Sequence, residues 1–173
     1  VKGGINAPGP EGFRANVTAA VVDGRGQILL ARRIDGGGWQ LPQGGMDRGE
    51  SPEQALFREL GEEIGLGPSQ VQVLAAAVGW YRYRIPPAIL KERGAGSKFH
   101  GQAQRWFLLE LAAPQEMIRL DVETPPEFDR WRWAAYWHPV HSVPNFKREA
   151  YRRGLTALSA AHLAFCRRQQ QEK

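Results

Sequence analysis

The chain has 173 residues, enough for one hydrophobic core and short for two, and 42% of them are hydrophobic, which excludes a disordered or low-complexity polymer. No apolar run approaches the roughly 18 residues that span a bilayer, and the first residues lack the apolar core of a secretory signal, which predicts a cytoplasmic protein with no membrane partner. The lone Cys166 excludes an internal disulfide partner and, beside Leu163, Ala164 and Phe165, reads as packing, while a net charge of +5 leaves polyanions open as ligands.

Residues 1–12 (VKGGINAPGPEG) carry turn-forming residues and no apolar period, which predicts a flexible arm ahead of a single domain over 13–168, with 169–173 as a frayed tail. The β-branched run 16–22 predicts a strand, Asp23-Gly24-Arg25-Gly26 a turn, and 27–33 (QILLARR) the returning strand of a hairpin. Gly36-Gly37-Gly38 is a further turn before Trp39-Gln40-Leu41-Pro42. A helix then opens on a readable signal: Ser51 as N-cap, Pro52 at the first helical position and Gln54 closing a capping box, with Gly65 as a left-handed stop. Residues 71–83, apolar and then aromatic, predict a central strand, and 85–101 a long loop. Strands are expected at 104–111 and 130–135, on either side of a proline-rich acidic connection. From Phe146 the spacing of Tyr151, Leu155, Leu158, His162 and Phe165 predicts a C-terminal helix. Strands and helices in this order imply the α/β class, with a mixed central sheet flanked by helices.

Chemistry concentrates on the first helix. At about 100° per residue, Glu59, Glu62 and Glu63 fall within one arc of roughly 100°, with Leu56, Phe57, Leu60 and Ile64 beside it. Like charges at this spacing cost a bare helix about 0.2–0.5 kcal/mol per pair, and Arg58 before Glu62 cannot neutralise all three. A solvated acidic face is the plain alternative. A divalent cation removes the repulsion, and hard oxygen donors with no Cys or His nearby favour magnesium or manganese over zinc.

Gly44, Glu50, Arg58, Glu59, Leu60, Glu62, Glu63, Gly65 and Leu66 fit G-x5-E-x7-R-E-U-x-E-E-x-G-U, where U is bulky and apolar. On this motif the chain resembles the Nudix hydrolases, which cleave a nucleoside diphosphate linked to another moiety. The resemblance implies an α/β/α sandwich and more than one Mg2+ or Mn2+ ion. It extends over about 12–153, through EGFRANV, WYRYRIP, QRWFLLEL, TPPEFDRWRW and NFKREAYRR, to the bacterial RNA pyrophosphohydrolase branch. That branch removes pyrophosphate, or phosphate, from the triphosphorylated or diphosphorylated 5′ end of RNA in RNA decay, and many members hydrolyse diadenosine tetraphosphate. The resemblance assigns Glu59, Glu62 and Glu63 to metal, with the Gly44 carbonyl as a further ligand and Glu127 as ligand or base. It implies substrate contacts from Arg14, Arg33, Gln43, Tyr83, Phe146 and Lys147, with Phe146 stacking on a base, and structural places for Glu50, Arg58 and Gly65. Arg58 is expected to orient Glu62 through an i,i+4 contact. Whether Glu62 or Glu127 takes the proton stays open. Ala15, where proline is common, and an extra proline before Glu127 depart from the branch.

Three functions compete: RNA 5′-pyrophosphohydrolase, dinucleoside polyphosphate hydrolase, and a silent RNA-binding module, which would have no need of every acidic position. Residues 44–66 hold six acids and two bases, so the rest carries +9, clustered at 79–105 and 145–173. Arg82, Arg84 and Lys147 are expected to form one cationic rim for RNA phosphates. His138 and His141 lack companion ligands for zinc, and Trp131 and Trp133 share a strand face that predicts core.

Overall fold

In a computed structural model that describes residues 7–92 and 98–171, the 16–22 run becomes the centre of the molecule. This strand, β1 (Arg14–Val22), is buried on both faces because its even and odd side chains are apolar or small after Arg14. It pairs in parallel along its whole length with β7 (Gly101–Leu111), Arg14 opposite Gln102 through Val22 opposite Glu110. The hairpin partner β2 (Ile28–Arg33) diverges after a single pair, Val22 with Ile28, and continues between β3 (Trp39–Gln40) and β8 (Phe128–Ala134). A short β4 (Gln43–Gly45) lies antiparallel on Asn16 to Thr18.

Helices cover both faces, giving the expected α/β/α sandwich. On one side α1 (Pro52–Ile64) sets Leu56, Leu60 and Ile64 against Ala15, Val17, Ala19, Val21, Phe107 and Leu109. On the other, α4 (Arg148–Gln171) sets Tyr151, Leu155, Leu158 and Phe165 against Ala20, Val22, Trp106 and Leu108. At this second contact a Cβ on Gly154 would lie 2.4 Å from the Trp106 ring, so helix and indole meet at backbone distance.

Several expectations are corrected. The stretch 71–83 is two strands, β5 (Val71–Ala76) and β6 (Tyr81–Arg84), because the chain turns at Gly79 with φ of +90°; both pair with β7, and β5 is the last strand in the sheet order rather than a central one. The expected loop 85–101 contains α2 (Pro87–Glu92), opened by the Pro86-Pro87 pair; Arg93 of the basic cluster lies outside the described residues. The first turn after Pro144 is a 3-10 turn over Asn145–Lys147, and α4 starts at Arg148. Of the predicted arm, 1–6 lie outside the described residues. Residues 7–12 are held, because Ala7 donates to the Met46 carbonyl at 2.8 Å and accepts from the Ala15 N–H at 3.1 Å, with Pro8 bridged to Arg14. Of the predicted tail, 169–171 continue α4, and 172–173 lie outside the described residues. Between α3 (Pro139–Ser142) and β8 the exposed His138 sits with its Nε2 3.0 Å from Arg132 Nη2. Trp131 and Trp133 are half-buried, in edge-to-face contact with ring centres 5.8 Å apart.

Candidate active site

The site grows from the cap of α1. Ser51 Oγ accepts from Gln54 N–H at 3.1 Å and Gln54 Oε1 accepts from Ser51 N–H at 2.8 Å; Gly65, at φ of +71°, closes the helix. With both ends fixed, Glu59 and Glu63 face inward, 5% and 3% exposed, while Glu62 stays at the flank with its side chain 29% exposed.

Facing them is the β4 turn. Glu63 Oε2 accepts from the Gln43 N–H at 3.0 Å. The Glu59 carboxylate lies so close to Gly44 that a Cβ there would be 1.9 Å from it. Gly45 is approached as closely by Arg14, whose guanidinium lies over the backbone with Nη2 1.9 Å from where a Cβ would be. Burial lowers the Arg14 pKa, opposed by Glu59 and Asp47. Glycine at 44 and 45 thus admits an acid from one side and a base from the other.

Arg58 ties the loop to the helix; the expected i,i+4 contact to Glu62 is present as an ion pair, and closer partners are added to it. It donates to Glu50 through Nε at 2.7 Å and Nη2 at 2.9 Å, to the Gly45 carbonyl at 2.7 Å and to Glu59 at 2.8 Å. Glu62, the expected partner, is 3.5 Å away, farther than the hydrogen-bonded partners. Glu50 also accepts from the Asp47 N–H at 2.8 Å. The fixed glutamate of the motif therefore holds Arg58, which in turn holds Glu59. Hydrogen bonds from Arg58 keep the Glu50 carboxyl below its ordinary value of 4.5. Because the folded value is lowered, Glu50 contributes fully above about pH 4.5 and loses its contribution as pH falls through the lowered value. Glu50→Gln should lower the neutral-pH Tm by roughly 2–4 °C and flatten the acid limb of Tm against pH, measured between pH 7 and 3. An acid limb identical to wild type contradicts this role.

These elements border a cavity of about 240 Å3. Arg14, Arg33, Lys147, Glu59 and Glu127 line it, with Gln43, Gly44, Tyr83 and Phe146. Glu62 and Glu63 are not among its lining residues; Glu63 instead holds the Gln43 N–H. Arg33 and Glu127 come together at a bulge: Arg32 pairs with Arg130 but Arg33 with Phe128, which re-aims the strand end. Arg33 Nη1 donates to Glu127 Oε1 at 2.5 Å, and Ile34 N–H reaches the Glu127 carbonyl at 3.1 Å. The extra proline of the preceding connection does not take Glu127 away. Lys147 is 8% exposed, donates to Gln40 Oε1 at 3.0 Å and stands 5.5 Å from the centre of the Tyr83 ring. Tyr83 donates to Gln102 and lies 5.8 Å from Phe146 in a tilted ring pair. Gln43 is tied into the scaffold through its Oε1, which accepts from Tyr151 at 2.8 Å and from Gln104 at 3.2 Å.

The single cationic rim is not formed. The alternation of β6 turns Tyr81 and Tyr83 inward and Arg82 and Arg84 outward over Phe13, where Arg82 pairs with Glu11. Only Lys147 of the three reaches the cavity. Sequence reading missed Asp35, which lines the cavity two residues after Arg33; the signal was an acid inside a glycine-rich turn. Gly61 meets open space, and nothing in the structure explains it. Among the described residues no three His, Cys, Asp or Glu side chains are already gathered as a metal cage. The three helix glutamates are instead arranged as two buried carboxylates and one at the flank.

Comparison with known proteins places this geometry. The NUDIX domain family matches residues 12–158. The chain is 47% identical over 155 residues to the RNA pyrophosphohydrolase of Pseudomonas fluorescens (strain SBW25), covering 90% of this chain and 97% of that protein. It is 48% identical over 148 residues to the RNA pyrophosphohydrolase of Acinetobacter baylyi, covering 86% and 89%. Among solved structures, the E. coli dihydroneopterin triphosphate pyrophosphohydrolase superposes with a TM-score of 0.66 at 17% identity, over 88% of this chain and 98% of that one. A C. elegans Ap4A hydrolase superposes with a TM-score of 0.58 at 16% identity, over 84% and 98%. These last two likenesses speak to the fold.

Proposed function

The chain belongs to the NUDIX family, and from that premise we propose that it is a metal-dependent hydrolase that removes pyrophosphate from the 5′ end of triphosphorylated RNA. One observation carries the reading: in a chain so close to RNA pyrophosphohydrolases, three cations converge on one cavity beside the Glu59 carboxylate and an aromatic wall. The cations suit a polyphosphate, and Tyr83 with Phe146 suits the base of the attached nucleotide.

The donor set fits a hard divalent cation. It offers carboxylates and a carbonyl without sulfur or imidazole, and Gly44 lets the Glu59 carboxylate stand against the loop backbone. Glu59, Glu62, Glu63 and the Gly44 carbonyl would hold Mg2+ or Mn2+, in more than one ion, once Arg58 yields its contacts to Glu59 and Glu62. A bound divalent cation supplies neutralisation of the phosphate oxygens and acidity to water. The protein's own groups do the rest. Arg14, Arg33 and Lys147 bind and orient the phosphates and stabilise charge on the departing pyrophosphate. Glu127 is our choice over Glu62 to take the proton of the attacking water, a reading supported by Glu127 being among the cavity-lining residues. RNA as substrate fits a cytoplasmic location; among the described residues no helix is long and apolar enough to cross a membrane.

The test compares turnover of 5′-triphosphorylated RNA with that of diadenosine tetraphosphate under the same metal concentration. The reading expects the RNA to be favoured in kcat/KM. Efficient cleavage of the dinucleotide with none of the RNA would replace it by the dinucleoside polyphosphate reading, and no cleavage of either by a silent RNA-binding module.

Phe146 supplies a further check. Its ring is half-buried against Tyr83, Ile85 and Ala150, so it is neither full core nor free surface. Phe146→Ala should weaken RNA binding by about 1–3 kcal/mol, the range for one stacked base. Its stability cost should stay below the about 3–5 kcal/mol of a fully buried phenylalanine. RNA titration and thermal melting of the same preparation separate the two, and a large drop in Tm with unchanged affinity makes Phe146 core.

A further inference from the structure

Arg33 is held by two acids, and one of them has no place in the proposed chemistry. Asp35 takes its fork: Arg33 Nε donates to Asp35 Oδ1 at 2.8 Å and Nη2 to Oδ2 at 2.5 Å. Nη1 meets the second acid, Glu127, and both acids line the cavity with Arg33. The grip is built into the turn. Asp35 Oδ1 also accepts from the Gly37 N–H at 2.9 Å, and Gly37 crosses so close that a Cβ would lie 2.7 Å from Arg33 Cδ. Gly36 and Gly38, at φ of +80° and +78°, allow this wrap.

We infer that Asp35 is a specificity-determining residue of this cavity: by occupying the Nε/Nη2 face of Arg33 and cancelling part of its charge, it weakens the hold on a lone terminal phosphate relative to a polyphosphate. The inference rests on the proposed reading of the cavity as a polyphosphate site. Three of the five N–H groups of Arg33 are taken by Asp35 and Glu127, so a single phosphate meeting Arg33 finds the remaining two with a carboxylate on either side. A triphosphate reaches Arg14 and Lys147 as well, so the same loss is a smaller fraction of its binding. The consequence is release of the 5′-monophosphorylated product, which shares the nucleotide but offers only one phosphate. Asp35 is half exposed, which reduces its Coulombic reach without removing its hydrogen-bond competition.

Two variants separate charge from turn geometry. Asp35→Asn keeps an oxygen for the Gly37 N–H but removes the charge and one of the two acceptors for Arg33; Asp35→Ala removes the turn contact too. The measurement is the ratio of dissociation constants, with Mg2+ present, of a short 5′-hydroxyl RNA and the same RNA carrying a 5′-monophosphate. A parallel titration uses orthophosphate as competitor of inorganic triphosphate. Asp35→Asn should raise the 5′-phosphate discrimination about threefold to tenfold and strengthen orthophosphate competition to a similar degree. A wild-type ratio in Asp35→Asn overturns the inference. If Asp35→Ala alone changes it, Asp35 serves only the turn, which also overturns it. Should neither RNA bind any of the proteins, the RNA reading fails, and the orthophosphate arm still decides the role of Asp35.

Discussion

Glu63→Gln should lower kcat by about 10²-fold or more at saturating divalent cation while leaving Tm close to wild type, by analogy with loss of one group that stabilises transition-state charge. The fold survives because the amide oxygen of glutamine can still accept from the Gln43 N–H, the bond that ties α1 to the β4 turn. The reaction does not, because the buried carboxylate supplies a negative charge to the cation that the neutral amide lacks. Glu62→Gln should lose turnover to a similar extent with still less effect on Tm, since the Glu62 side chain is 29% exposed and, among the described residues, pairs with Arg58 at 3.5 Å alone. Excess EDTA should abolish hydrolysis by the wild-type protein. Steady-state rates with melting curves check each case. A Glu63→Gln enzyme with near wild-type kcat would leave Glu63 as a partner of Gln43 and nothing more.

What could be seen in the sequence divides by the range of the interaction. The limits of α1 were legible because its signals are local: Ser51, Pro52 and Gln54 at one end and Gly65 at the other act within a turn of the residues they cap. The buried face of α4 was legible from periodicity for the same reason, and Tyr151, Leu155, Leu158, His162 and Phe165 are all buried. The partnership of Arg58 with Glu50 was not, because it joins the helix to a loop eight residues away, and helical spacing offers only Glu62. The separation of Arg82 and Arg84 from Lys147 was written in the alternation YRYR, but a count of charge along the chain ignores which face a strand turns inward. Asp35 escaped because its meaning depends on the bulge that brings Glu127, 94 residues from Arg33, to the same guanidinium. The docking of 7–12 likewise depends on the carbonyl of Met46, a residue of the loop that leads to α1.

Gly44→Ala tests the site at its tightest point and should separate activity from folding. A Cβ at this position would lie 1.9 Å from the Glu59 carboxylate, far inside any real contact, so something must move. The backbone is the harder to move, because Gly44 is paired with Val17 in the middle of β4. Glu59 is the easier: rotating its side chain relieves the clash but takes the carboxylate off the loop and away from Arg58 Nη1. A displacement of about 1 Å in a catalytic constellation is enough to cost roughly 10²-fold in rate. Alanine adds no backbone strain, because Gly44 is not among the glycines with positive φ. Tm should therefore fall by no more than a few degrees while kcat collapses. The decisive comparison is with Glu59→Gln alone and with the double variant. If Gly44→Ala acts by expelling the Glu59 carboxylate, the double variant should be little worse than Glu59→Gln, a non-additivity expected of two changes that remove the same group. Full additivity of the two losses, or near wild-type kcat in Gly44→Ala, would mean that the close approach of Glu59 to the loop is incidental to turnover.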